Sequence, residues 1–295
     1  MPEIQPKAAQ RPEYVLPDTK AAAGAVQREL SPWEKLWGNA LVRRILVLVV
    51  LALAWEGYSR VVNNPLLFPT FSDTCVAFWR GMASGELPRR IANSLLVLAM
   101  GYGIGLAVAA LLTIFAVTTR IGTDFLSTVT AMLNPLPAIA LLPLALLWFG
   151  LGTPSTLVVL LHSVIWPVAL NTHSGFRSVS ETLRMAGQNY GLRGVRFIVR
   201  ILVRILVPAA FPSILTGMKI GWAFAWRTLI AAELVFGSNG GGGGLGWYIF
   251  ENRNQMETAN VFAGLLAVIV IGLLVETLVF RTVENSTVRK WGMQR

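Results

Sequence analysis

Arg227 lies within Ala223-Phe224-Ala225-Trp226-Arg227-Thr228, in an apolar run covering 213–236. A guanidinium keeps its charge at any accessible pH. In hydrocarbon that charge is costly unless it is paired or wetted, so it marks a polar pathway or an internal ion pair. As a pathway residue Arg227 attracts an anion; as a structural residue it pairs or snorkels. Glu233 is the nearest acid along the run, but six positions do not share a helix face, so a pair would need another helix or subunit. Trp222 and Trp226 are one turn apart and either line the same cavity or pack the helix. Asn134 opens Asn134-Pro135-Leu136-Pro137, followed by Pro143. Proline removes a backbone donor, and such breaks survive in lipid where protein or a water-filled cavity surrounds them. Kinked packing and cavity lining both account for them. His162 reads as a packing residue, and Lys219 as a side chain that snorkels at the inner interface.

None of this amounts to catalysis. The run Gly240 to Gly244 lacks the lysine that a phosphate-cradling loop requires, so the chain is not expected to hydrolyse ATP. One cysteine, Cys75, and two histidines, His162 and His173, leave no metal cluster and no disulfide framework. Neither an enzyme nor a bound cofactor is expected.

The elements that must position these residues are legible from composition. Of 295 residues, 54% are hydrophobic and 14% charged, and the mean hydropathy is +0.59. Soluble domains carry about 25% charge, so a soluble enzyme is excluded. A net charge of +10 on so apolar a chain also argues against nucleic-acid binding. Residues 1–40 are polar and proline-dotted and read as a tail, with Trp33 and Trp37 suited to the membrane interface. Residues 41–295 then hold apolar runs long enough to cross a bilayer as helices, about 20 residues each. Six are expected, at about 41–60, 91–118, 131–150, 154–173, 213–236 and 261–282. The fold class is therefore all-α and polytopic.

Eighteen Lys and Arg fall on the side of the tail, the 175–212 segment and the C-terminus, against five on the other side. The positive-inside rule places both termini in the cytoplasm. Outside, residues 61–90 have room for a short amphipathic helix, the loop at Gly152–Pro154 is tight, and the glycine run is either a linker or a mobile gate. Inside, residues 175–212 form an expected helix pair. Ser180 is its N-cap, Gly191 ends its first helix, and Arg193, Arg196, Arg200 and Arg204 stripe its second. The stripe suits anionic lipid or a cytoplasmic protein partner.

This segment resembles the cytoplasmic EAA loop of ABC-importer permeases, with Gly191 at the turn and Pro208 as the closing proline. The resemblance extends to Leu142–Gly152, Pro212–Gly221, Ala231-Ala232-Glu233-Leu234 and Gly243-Gly244-Leu245-Gly246. Together these are similar to the nitrate/sulfonate/taurine type of binding-protein-dependent permease over roughly 60–290. The likeness implies a type I importer architecture in a bacterial inner membrane. It implies a second permease copy, two cytoplasmic ATPase subunits carrying ATP and Mg, and an external substrate-binding protein. It implies a small oxyanion as cargo: nitrate, an alkylsulfonate, taurine or bicarbonate. The coupling loop would comprise Glu181, Arg184, Met185, Ala186, Gly187, Asn189, Tyr190, Gly191 and Arg193. The pathway would comprise Arg227, Trp226, Trp222, Glu233 and Asn134. Two departures stand out. Met185-Ala186-Gly187 replaces Glu-Ala-Ala, and Arg200-Ile201-Leu202-Val203 is repeated as Arg204-Ile205-Leu206-Val207, which lengthens the helix by about 6 Å. The competing class is a stand-alone carrier or channel, which predicts repeated halves and paired intramembrane charges.

Overall fold

The computed structural model describes residues 31–179, 207–236 and 243–290. The described residues are helical, with no strand among them. The chain divides after Leu53 into two units. The first holds α1 (Pro32–Gly38) and the opening of α2 (Ala40–Val62), whose apolar side chains from Leu41 to Leu53 are largely exposed.

The second unit carries the rest. Here the end of α2 leads to α3 (Phe71–Ala83), the short amphipathic helix. Thr70 caps it, accepting from the Asp73 N–H at 3.0 Å and donating to the Asp73 carboxylate at 2.6 Å. Gly85, at φ +79°, turns the chain into α4 (Glu86–Thr118). Thr119 closes α4 and caps α5 (Arg120–Leu133), accepting from the Gly122 N–H at 2.9 Å.

The expected span at 131–150 is not one straight helix. It starts at Arg120, breaks at Asn134–Pro137, tightens to a 3₁₀ turn at Ala138–Leu141 and resumes as α6 (Leu142–Phe149). The two arms meet at 88°. Pro135 and Pro137 cause the break. Pro143 does not, because it occupies the first turn of α6, where a missing N–H is harmless. Gly150 (φ +73°) and Gly152 (φ +148°) then make the tight connection to α7 (Thr153–Ser178). α8 (Val207–Phe236) holds Pro208 and Pro212. α9 (Leu245–Asn254) and α10 (Thr258–Leu274) follow. Beyond Leu274 the helix continues through wide π-turns to Arg289.

α7 is the spine, and small residues let both neighbours approach it. Gly101 and Gly105 put α4 against Leu160 and Val164, where an added Cβ would stand 2.8 Å from each. On the other side Gly217 and Gly221 of α8 lie over Asn171 and Val168, and Gly175 of α7 abuts Ser213. Among the described residues four helices are long and apolar enough to cross a membrane, five if the bent pair counts as one. α8 is equally long but carries Lys219, Arg227 and Glu233. Lys219 reaches Glu284 at 2.6 Å and ties α8 to the C-terminal turns.

Candidate translocation site

The proline break produces a cavity. A space of about 370 Å³ is lined there by Asn134–Ile139 together with His162, Ser163, Trp166, Phe224, Arg227, Thr228 and Ala231. Two of the expected pathway residues, Arg227 and Asn134, therefore line one cavity. Arg227 is exposed; its Nε donates to the Ala223 carbonyl at 3.0 Å, and its guanidinium lies 5.3 Å from the Phe224 ring centre. Among the described residues no carboxylate lies within ion-pair distance of it. The cavity thus offers an uncompensated cation beside hydroxyls: Ser163 donates to Thr228 at 3.0 Å. A mostly apolar wall raises the strength of that charge toward an anion.

The other expected pathway residues lie elsewhere. Trp226 is buried between α8 and α10, its indole N–H donating to the Val268 carbonyl at 3.3 Å. Trp222 stacks edge-on with Tyr102 and Phe280. Both belong to the packing, which was one of their two readings. Glu233 is buried away from Arg227, consistent with their six-residue separation. Its carboxylate accepts from Ser94 at 2.9 Å and from the Gly246 N–H at 2.8 Å, while Ser94 accepts from the Leu245 N–H at 2.8 Å. This explains Gly243-Gly244-Leu245-Gly246. Gly243 has φ +72°; a Cβ on Gly244 would strike Glu233 and Ser94, and one on Gly246 would stand 2.5 Å from the Ile230 carbonyl. Burial pushes the nearby Tyr248 phenol up to about 12, so it stays neutral.

Three further residues at these contacts were not among the expected site residues. His162 and Trp166 wall the cavity in T-shaped contact, with buried ring nitrogens that make no hydrogen bond of normal geometry; the Leu133 backbone is a weak neighbour of His162. Their i, i+4 spacing was the available signal. Ser94, on α4, offered none. The coupling-loop residues Glu181, Arg184, Met185, Ala186, Gly187, Asn189, Tyr190, Gly191 and Arg193 lie outside the described residues, as do Gly240–Gly242. Among the described residues no cluster of metal ligands occurs.

Residues 101–284, more than half the chain, match the family described as binding-protein-dependent transport system inner membrane components. The chain belongs to that family. It is a multi-pass inner-membrane permease of the ABC type, in a family of transport permeases rather than enzymes. A putative ABC transporter permease of Methanocaldococcus jannaschii is 30% identical over 82% of this chain and 90% of its own length. A putative aliphatic sulfonates transport permease of Bacillus subtilis is 29% identical over 92% and 94%. The nitrate import permease of a Synechocystis strain is 26% identical over 85% and 90%. The order of motifs from α6 to α9 in the permease therefore reflects kinship.

Proposed function

We propose that this permease forms the pathway of an ATP-driven importer for a small oxyanion, nitrate or an organic sulfonate being the leading classes. The observation that carries the reading is Arg227, a cation without a carboxylate partner among the described residues, at a cavity opened by a proline break. An unpaired charge near mid-span costs about 2.5–3.5 kcal/mol, a cost offset when an anion visits. The names of the sulfonate and nitrate relatives support the same class.

In this reading α2, α4, the bent α5–α6 pair, α7, α8 and α10 are six spans, with both termini cytoplasmic. Residues 1–40 are a cytoplasmic tail. Two copies of the chain enclose the pathway. An external binding protein delivers the anion to the α3 and α9 side. Two ATPase subunits, which hold ATP and Mg, dock on residues 180–195. Their closure tilts α7 and α8, the helices that flank the loop, and so moves Arg227 relative to Asn134. The chain itself binds no cofactor.

Affinity purification of the chain with its ATPase subunits tests the coupling. The wild-type permease retains the ATPase, and Gly191→Val, at the loop's turn, loses it. Retention in the variant, or absence of any ATPase from the wild type, contradicts the reading and favours a stand-alone carrier.

A further inference from the structure

We infer that Glu233 and Ser94 form a latch that holds α9 against α4 at the outward end of the pathway, and that transport requires the pair to part. The proposed function supplies only the word outward, through the expected topology; the latch itself rests on contacts within one unit of the chain.

A helix leaves its first N–H groups without partners of its own. For α9 those groups are satisfied from two other helices. Ser94 of α4 takes the Leu245 N–H, and Glu233 of α8 takes the Gly246 N–H, while Ser94 donates to both oxygens of Glu233. Both side chains are buried. One face of α4 completes the grip, because positions i, i+3 and i+4 align. Asn93 donates to the Gly243 carbonyl at 3.1 Å, and Arg90 reaches Glu251, farther along α9, at 2.7 Å. The seam is directional, and hydrogen bonds are made or lost over roughly 1 Å. A contact of that kind has two states rather than a continuum.

The glycines set the clearance. Gly244 leaves no room for a Cβ between Glu233 and Ser94, and Gly243 bends the chain in the left-handed region directly before the latch. Glu233 is therefore a positioning residue. It lies away from the cavity wall that carries Arg227, and it acts on the pathway by holding α9.

The test uses the full permease–ATPase complex in nanodiscs, with Cys75→Ser and spin labels on exposed positions through Arg89→Cys and Asn254→Cys. Pulsed dipolar spectroscopy reads the α4–α9 distance. The resting parent complex gives one narrow distance. Ser94→Ala and Glu233→Gln remove latch bonds. Gly244→Ala wedges the latch apart without deleting a polar group, so it also covers the case in which a polar deletion misfolds. Each populates a second, longer distance, and loss of one bond shifts the balance about fivefold. The same variants raise ATP hydrolysis in the absence of cargo, which a merely structural role would not do. Gly103→Ala, on an open part of α4, matches the parent. A single unchanged distance in all three latch variants overturns the inference, as does an unchanged basal ATPase rate in variants whose distance does shift. If no ATPase accompanies even the parent chain, the transport reading fails, and the distance measurement still decides the latch.

Discussion

At the residue scale, two ionisable side chains in one helix have opposite circumstances. Arg227 has a backbone carbonyl and a ring for neighbours, whereas the Glu233 carboxylate accepts from Ser94 and from the Gly246 N–H. Arg227→Ala is expected to lower oxyanion uptake about tenfold or more while leaving thermal stability near that of the wild type, because no ion pair among the described residues is lost. Arg227→Lys should retain part of the uptake, since it keeps the charge but not the planar fork. Uptake and unfolding measured on the same preparations check both. Full uptake by Arg227→Ala would remove the residue from the pathway. Arg227 was legible in the sequence because a charge inside an apolar run is conspicuous. The partner of Glu233 was not, because Ser94 lies 139 positions away and serine is unremarkable in a helix. The two tryptophans were legible only as a pair of alternatives, since one-turn spacing serves packing and cavity equally.

At the element scale, hydropathy located the helices well where a whole run is apolar and poorly where one face is. α5 was missed from residue 120 because Arg120, Thr123, Asp124 and Ser127 dilute it. Its buried positions, Gly122, Leu126 and Thr130, recur every four residues. The break at Asn134–Pro137 was visible, but its 88° angle was not, since proline announces a kink and not its size. The contact between α4 and α7 supplies the second prediction. Gly105→Leu would force a side chain into Val164 and is expected to cost about 1–3 kcal/mol, read as a lower unfolding temperature. Gly103→Leu, with nothing within 4 Å of its added Cβ, should change it little. Equal effects would contradict the packing of α4 on α7. A third prediction concerns the repeat at 200–207. Deleting Arg200–Val203 removes one copy of the repeat and is expected to leave uptake unchanged; a loss of coupling would contradict a neutral duplication.

At the scale of the whole molecule, the apolar composition is the feature that sequence alone interpreted most fully, and the family assignment agrees with a multi-pass inner-membrane protein. How α8, α9 and the glycine segment fit together was hidden, because the fit depends on backbone approach and not on composition. The central claim is that ATP hydrolysis by partner subunits drives an anion through this chain. Uptake of labelled ethanesulfonate and nitrate into proteoliposomes holding the complex, with the binding protein on the outside and ATP sealed inside, tests that claim most directly. At least one of the two anions is expected to accumulate in a way that requires both ATP and the binding protein and disappears with Gly191→Val. Equilibration at the same rate without ATP would contradict it.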